Sequence, residues 1–287
     1  MINTDISFYV PVYNGEKTIE KCVNSILRQT LKPINILIIN DCSKDGTLEI
    51  LEGYGQKIKI HSNSENQGVS YCRNLAINKL NTRFIASIDA DVELDDNWLE
   101  TLYAKMQTNK ITLIGGRLFE KYVDNPCNYW RSLRIGQQWG DKDIVNPSFV
   151  FGCNNLLDTN NLDRKNIFNL EGDYFKTNGE DIEFSKYLKE KKHNIYYSSD
   201  SICYHLQDDD ISSLSKRYWR YLYYGDGFKK RNLIKTIKNM LRQLKKTIKW
   251  SLQDIINLRL KLIKVNFGVF FIFCKLDYKH MKNKIYD

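Results

Sequence analysis

The sequence predicts an α/β fold with a mainly parallel central sheet flanked by helices, followed by a helical extension at the C-terminus. Short apolar runs alternate with amphipathic segments over the first ninety residues, and a polar cluster follows the end of each run. A further segment, after residue 228, has Leu and Ile at helical spacing. Strands that alternate with helices are typical of parallel sheets covered by helices. Ligands of such sheets bind beyond the carboxyl ends of the strands.

Hydrophobic spacing places the elements of the first half of the chain. Ile19, Val23 and Ile26 recur at helical intervals after the first apolar run, which indicates an amphipathic helix. Further helices are expected near residues 47–52 and 69–80. The expected strands are residues 6–11, 34–40, 58–62 and 84–88.

The second half is less regular. Strands are expected at residues 111–119, 148–157, 194–199 and 201–205, and a helix at residues 181–192. Residues 120–147 have no clear period and are rich in aromatic residues. Residues 213–227 are expected to form a helix that packs a Tyr and Trp stripe into the core.

The charge distribution divides the chain into two domains, a body at residues 1–228 and a basic tail at residues 229–287. The tail carries 16 Lys and Arg against 3 acidic residues, whereas the body carries 27 against 31. From residue 233 to about 263, apolar residues recur every three or four positions and Lys and Arg fill another face. This pattern is typical of a basic amphipathic helix on an anionic membrane surface.

Alternatives for the tail are a helix that forms a homodimer and a helix packed on the body with a solvated face. Nucleic acid is not an expected partner, because no reader motif accompanies the charge. The apolar run at residues 265–274 is shorter than the roughly 20 residues of a transmembrane helix.

Seven scattered cysteines without a C-x-x-C pair, together with an N-terminus that lacks signal-peptide features, indicate reduced thiols and a cytoplasmic location.

Asp89 and Asp91 directly follow an apolar strand, and carboxylates at this spacing can converge on Mg²⁺ or Mn²⁺. A solvated acidic turn is the alternative. A calcium-binding EF-hand loop is excluded, because Leu94 replaces the required glycine and a strand precedes the acids. A phosphohydrolase with Asp89 as nucleophile is a further alternative, although that chemistry usually follows the first strand of its domain.

Four other clusters carry candidate residues, each with a structural alternative. Asp41 could accept a hydrogen bond from a nucleobase imide or belong to a capped turn. Arg73 could bind a phosphate or form a surface ion pair. Glu180 and Asp181 could act in catalysis or favour a helix N-terminus, and His205 could be a ligand or structural. Residues 12–16 lack the glycine patterns of dinucleotide folds and P-loops, which disfavours nicotinamide and ATP enzymes of those types.

In this order, the clusters resemble the family 2 glycosyltransferases, inverting enzymes with the GT-A fold. The similar stretches are "FYVPVYNGEKTIEKCVNSILRQT", "IINDCSKDGTLEIL", "NSENQGVSYCRNLAI", "FIASIDADVELDDNWLE" and "GEDIEFSKYLKEKKHNIYYSSDSICYH". The resemblance implies Asp181 as general base with Glu180 beside it. The residues that it implies for binding the nucleotide-sugar are Pro11, Tyr13, Asn14, Asp41, Arg73, Asp89, Ala90 and Asp91. The ligands that it implies for Mn²⁺ or Mg²⁺ are Asp91, Asp89 and His205.

The resemblance therefore implies metal-assisted transfer of a sugar, with inversion, from a UDP-sugar to a glycan or lipid-linked acceptor. The expected location is the inner face of the cell membrane, where such acceptors reside. Asn40 and Cys42 depart from the commonest pattern of the family beside the base pocket, so the donor stays open. The alternatives are a magnesium phosphohydrolase and a catalytically silent membrane-surface protein on the same scaffold.

Overall fold

The computed structural model describes residues 5–160, 162–164, 167–168, 179–225 and 232–283. The chain forms two compact units. The first consists of Met1–Lys121 and Gln137–Leu206, and the second of Tyr122–Gly136 and Gln207–Asp287. The domain boundary expected between residues 228 and 229 lies outside the described residues.

Within the described residues of the first unit, nine strands form one sheet. They are β1 (Ile6–Val12), β2 (Asn35–Asn40), β3 (Lys59–Ser62), β4 (Phe84–Ile88), β5 (Val92–Leu94), β6 (Leu113–Glu120), β7 (Ile144–Val145), β8 (Asn154–Asp158) and β9 (Ile195–His205). The order is β3-β2-β1-β4-β8-β6-β9-β5, with β7 also paired to β9. Strands β3, β2, β1 and β4 are parallel, as are β6 and β9. Strands β8, β5 and β7 pair antiparallel with their neighbours.

Helices cover both faces of this sheet. The helices of the first unit are α1 (Ile19–Arg28), α2 (Thr47–Glu52), α3 (Val69–Lys79), α4 (Trp98–Asn109) and α6 (Glu180–Glu190). Phe8 of β1 lies in one core with Trp98 of α4, whereas the next residue, Tyr9, lies in the other core with Ala76 of α3 and Phe184 of α6. Successive side chains of a strand point to opposite faces, so the apolar run of β1 serves both cores.

The predicted α/β fold is confirmed, with differences in its second half. The two short strands expected at residues 194–199 and 201–205 are one strand, β9. Its first part pairs with Leu113–Gly115 and its second with Arg117–Glu120, across a register shift between Gly115 and Arg117. The shift explains why the sequence shows two separate runs, because the residues between them leave the regular alternation.

The second unit is helical and confirms the predicted helical extension. Its helices are α5 (Pro126–Arg134), α7 (Ile211–Gly225), α8 (Leu233–Ile256) and α9 (Lys261–Asn283). Trp130, Tyr218 and Phe273 form its core, and Arg217 pairs with Asp209 at 3.2 Å. Tyr218 and Trp219 of α7 thus pack inward, whereas Tyr221 is 52% exposed. Among the described residues, no helix is both long and apolar enough to span a bilayer.

Candidate active site

Asp41 follows β2 and fixes the start of α3. Its backbone N–H donates to the carbonyl of Val12 at 2.8 Å, and its buried carboxylate accepts hydrogen bonds from Asn63 Nδ2 at 2.7 Å, Gln67 N at 3.0 Å and Gly68 N at 2.8 Å. Gly68 has φ +86°, which favours glycine. The carboxylate thereby satisfies backbone N–H groups where α3 begins.

Arg73 lies one turn along α3 and joins two acidic clusters. Its Nη2 is 3.0 Å from Asp89 Oδ1 and 3.2 Å from Glu180 Oε1, while its Nη1 donates to the carbonyl of Gly152 at 2.9 Å. Only 3% of the side chain is exposed. Burial lowers the pKa of Arg73, but the Glu180 and Asp89 carboxylates outweigh this and raise it, so the guanidinium stays charged. Arg73 therefore contacts one buried carboxylate, Glu180, and one partly exposed carboxylate, Asp89, instead of pointing into open space.

Gly152 belongs to the candidate site, and the sequence reasoning missed it. Its carbonyl binds Arg73, and its N–H donates to Asp181 Oδ2 at 3.1 Å. A Cβ at this position would lie 2.2 Å from Arg73 Nη1, so only glycine fits here. Asp181 Oδ1 also accepts the N–H of Ile182 at 2.9 Å, at the N-terminus of α6. A single glycine between apolar residues was the available signal, although such glycines are common in strands.

The acids around Arg73 are held with raised pKa values. Burial is the main cause for Asp89, and with the neighbouring Asp91 and Glu180 charges it raises the pKa to about 6 despite the opposing effect of Arg73. Burial, together with the neighbouring Asp181 charge, also raises the pKa of Glu180 to about 6, although the Arg73 charge lowers it. The pKa of Asp181 is raised by burial as well. Desolvation and like charge both disfavour the ionised forms, which is common at functional sites.

His205, at the end of β9, bridges Asp91 and Glu120. Its Nε2 is 3.3 Å from Asp91 Oδ2, and its Nδ1 is 3.0 Å from Glu120 Oε2. Burial lowers the pKa of His205, but the two carboxylates outweigh it and raise the pKa to about 9. Glu120 was also missed by the sequence reasoning, because it lies 85 positions from the histidine that it orients.

Asp89 and Asp91 contact different partners. They lie in a turn after β4, closed by a 3.0 Å hydrogen bond from Val92 N to Asp89 O, instead of on the strand itself. The turn directs Asp89 towards Arg73 and Asp91 towards His205. Among the described residues, no three His, Cys, Asp or Glu side chains are arranged to hold a metal ion. The metal-ligand role of Asp89, Asp91 and His205 therefore stays a prediction.

The remaining expected residues lie at the ends of β1 and β4; they are Pro11, Tyr13, Asn14 and Ala90. The Tyr13 side chain is half exposed. Asn14 has φ +53°, and its N–H donates to Ser43 Oγ at 3.0 Å in the loop after β2. A Cβ added to Gly15 would lie 3.7 Å from Ala90 Cβ, so the loop after β1 runs beside the turn after β4.

A comparison with protein families agrees with this arrangement. The sequence profile described as Glycosyl transferase family 2 matches residues 7–168, more than half of the chain. The chain belongs to glycosyl transferase family 2. The family and the enzyme class expected from the sequence are therefore confirmed.

Two known glycosyltransferases align with this chain over only part of their own length. Glycosyltransferase GlyA of Streptococcus pneumoniae serotype 4 is 27% identical over 178 residues, which cover 61% of this chain and 25% of GlyA. UDP-Glc:alpha-D-GlcNAc-diphosphoundecaprenol beta-1,3-glucosyltransferase WfgD of Escherichia coli is 34% identical over 112 residues, which cover 39% of this chain and 44% of WfgD. The chain thus spans less than two thirds of the length of these relatives.

Two solved structures have a similar fold. S. aureus TarS 1-349 in complex with UDP-GlcNAc superposes with a TM-score of 0.59 at 17% identity, covering 98% of this chain and 93% of that one. Mannosyltransferase PcManGT from Pyrobaculum calidifontis in complex with GDP-Man and Mn²⁺ gives a TM-score of 0.61 at 11% identity, covering 98% and 88%. At these identities the likeness shows the GT-A fold of this family 2 chain, and the roles of its individual residues stay predictions.

Proposed function

We propose that this chain transfers a sugar from a nucleotide-diphosphate donor, a UDP-sugar, to a hydroxyl of a glycan or lipid-linked acceptor, with inversion. The observation that carries the proposal is a pair of ion pairs made by Arg73. One is with Asp89 after β4 and the other is with Glu180 at the start of α6. Gly152 binds Arg73 and Asp181 at once. Two acidic motifs about ninety positions apart are therefore held beside one another, where α/β sheets bind ligands.

Asp181 is the proposed general base. Its raised pKa makes it a better proton acceptor than an ordinary aspartate, and its two backbone hydrogen bonds fix its orientation. An alcohol that attacks the sugar opposite the departing diphosphate must lose a proton, and a positioned base typically contributes ~10²–10⁴-fold to such a step. One displacement of this kind inverts the anomeric carbon.

Asp91 and His205 are the proposed holders of Mn²⁺ or Mg²⁺. These two residues would supply part of the ligand shell. His205 Nε2 lies 3.3 Å from Asp91 Oδ2, and 22% of the Asp91 side chain is exposed. Such ions commonly take one or two carboxylates and complete their shell with substrate phosphates. When bound, the ion stabilises negative charge on the diphosphate as a Lewis acid. His205 must release its proton before its nitrogen can coordinate.

Asp41 is the proposed contact for the nucleobase. The hydrogen bonds from Asn63, Gln67 and Gly68 fix the orientation of its carboxylate at the carboxyl end of β2, where a uracil N–H would donate a further hydrogen bond. The bound UDP-GlcNAc of TarS and the UDP-Glc in the name of WfgD support a UDP-sugar donor. The acceptor in the WfgD name, a diphosphoundecaprenol, supports a lipid-linked acceptor and a peripheral, cytoplasmic location at the inner face of the cell membrane.

The test is a panel of nucleotide-sugars assayed by thermal shift and donor hydrolysis, with Mn²⁺, with Mg²⁺ and with EDTA. UDP-sugars should raise the melting temperature and be turned over only with metal. Asp181→Asn should keep donor binding and lose roughly 10²–10⁴-fold in transfer, and Asp91→Ala should lose the metal response. Glu183→Gln, an exposed acid of the same helical turn, is the matched control. Full activity of both site variants contradicts the proposal.

The same experiments distinguish the two alternatives. A phosphohydrolase would form an acyl-phosphate on Asp89, detectable by mass spectrometry after trapping, and would ignore nucleotide-sugars. A catalytically silent protein would bind vesicles and turn over no member of the panel. The Arg73 contact favours the transferase, because it joins Asp89 to the Glu180 and Asp181 cluster that a phosphohydrolase mechanism does not need.

A further inference from the structure

Helix α8 exposes its apolar side. Six aliphatic residues along it are between 47% and 57% exposed: Leu233, Ile237, Leu241, Ile248, Leu252 and Ile255. At 3.6 residues per turn they fall within about 100° of the helix surface. Six basic residues occupy the next ~100°; they are Lys235, Lys238, Arg242, Lys245, Lys246 and Lys249.

The buried side of α8 is polar instead. Its buried residues are Thr236, Asn239, Gln243, Thr247, Ser251 and Asp254. Asn239 donates to Asp277 of α9 at 2.9 Å, and Asn266 of α9 donates to Asp254 at 2.9 Å. An amphipathic helix normally buries its apolar stripe. Here hydrogen bonds to α9 hold the polar stripe inward, so the apolar stripe faces away from the helices it packs on.

The apolar surface extends into the turn between α8 and α9. Ile256, Leu258 and Leu260 are 79%, 85% and 61% exposed. Leu258 has φ +57°, at the helix C-terminal position where glycine is preferred. A leucine in this conformation is uncommon and strained. The sequence thus places a large apolar side chain on the surface where a glycine would be favoured.

The charge around this surface is of one sign. Residues 232–283 contain twelve Lys and Arg and two acids, and both acids, Asp254 and Asp277, are buried. A surface groove of about 490 Å³ is lined by Lys238, Leu241, Arg242, Lys245, Lys246 and Lys249. Burial, and to a smaller extent the neighbouring Arg242 charge, lowers the pKa of Lys246, so these two cations repel one another in the groove. An anionic partner would relieve this repulsion.

We propose that the exposed face of α8 and the α8–α9 turn dock on an anionic lipid surface, with Ile256, Leu258 and Leu260 in the acyl region and the lysines of α8 at the phosphates. Exposed apolar residues beside cations match the apolar interior and charged headgroups of such a membrane. The inference deepens the proposed membrane location. It is independent of the proposed transfer, because docking is measured without donor or acceptor.

The test is co-sedimentation of the full chain with vesicles of phosphatidylcholine alone and of phosphatidylcholine mixed with phosphatidylglycerol. Wild type should bind the mixed vesicles, weaken with salt, and bind neutral vesicles poorly. The double variant Ile256→Ser/Leu258→Ser should reduce binding at least ~10-fold through lost apolar burial. The triple variant Lys238→Glu/Lys245→Glu/Lys249→Glu should reduce it by roughly 100-fold or more, since each cation contributes about 1 kcal/mol.

Matched controls separate docking from general surface effects. Ile34→Ser removes an aliphatic residue that is 49% exposed in the first unit, and Lys57→Glu/Lys142→Glu/Lys191→Glu reverses three exposed charges there. Both should bind vesicles as wild type does, and circular dichroism should show that all variants fold. Equal binding of wild type to neutral vesicles would overturn the proposal. A second result would also overturn it: the chain does not bind vesicles but forms a concentration-dependent dimer that Ile256→Ser/Leu258→Ser abolishes. In that case a second copy of the chain would cover this face.

Discussion

Replacing Gly152 with alanine should dismantle the candidate active site, although it adds only one methyl group. The new Cβ would lie 2.2 Å from Arg73 Nη1, 2.8 Å from Nη2 and 2.9 Å from Cζ. Heavy atoms cannot approach this closely, so the guanidinium must move. Arg73 is held by Asp89, by Glu180 and by the carbonyl of Gly152 itself, and it cannot move without breaking these contacts.

The cost follows from which contacts are buried. Asp89 keeps 34% of its side chain exposed, so solvent can replace much of its interaction with Arg73. Glu180 is only 7% exposed, and removing the partner of a buried charge typically costs 3–5 kcal/mol. We therefore expect a loss of about 3 kcal/mol in the free energy of unfolding. The pKa of Glu180 should also rise above about 6, because Arg73 holds it down.

The assay is denaturant unfolding of wild type and Gly152→Ala, together with donor binding by thermal shift. Gly53→Ala is the matched control, because Gly53 has φ −60° and the nearest atom to the new Cβ would be the Ile50 carbonyl oxygen at 3.3 Å. This control should change stability by less than about 1 kcal/mol. A Gly152→Ala chain as stable as wild type, with unchanged donor binding, would refute the geometry of Arg73 described above.

Three further outcomes follow from individual contacts. Asp41→Ala should weaken nucleotide binding by at least ~10-fold and expose the start of α3 to faster hydrogen exchange, because it removes a charged hydrogen-bond acceptor. Burial raises the pKa of Asp143, but Lys105 and Ser199 outweigh this and lower it to about 2. The stability that Asp143 contributes is complete above its ordinary value of 3.8 and is lost as the pH falls towards about 2, so the difference between wild type and Asp143→Asn in unfolding free energy should shrink over that range. Arg134→Ala leaves the carboxylate of Asp254 buried without its 2.8 Å partner and should lower the unfolding free energy by about 3–5 kcal/mol, measured by urea denaturation.

Strands β1, β2 and β4 could be predicted because each is a buried apolar run bounded by turn residues. Strand β5 could not, because Val92–Leu94 has only three residues between acids and exists through its pairing with β9. Helix α5 was missed for a related reason. Its aromatic residues serve the core of the second unit, whose other members come from the distant helices α7 and α9. Local sequence carries no sign of such partners.

The candidate site divides in the same way. Asp41 and Asp181 could be proposed from motifs, since each lies where a strand ends or a helix begins. Gly152 and Glu120 could not, because their roles depend on partners 79 and 85 positions away. The different partners of Asp89 and Asp91 were also hidden, since the strand periodicity ends at Ile88 and a turn follows.

Helix α3 links the two ends of the proposed site. Asp41 fixes its first N–H groups, and Arg73 extends from a position about 7.5 Å further along the axis. Any displacement of the Asp41 carboxylate by a bound nucleobase therefore acts on the helix that holds Asp89 and Glu180 together. The acids around Arg73 repel one another and are only partly neutralised, as their raised pKa values show. A nucleotide that arrives with a divalent cation would offset that repulsion, whereas a free diphosphate would add to it.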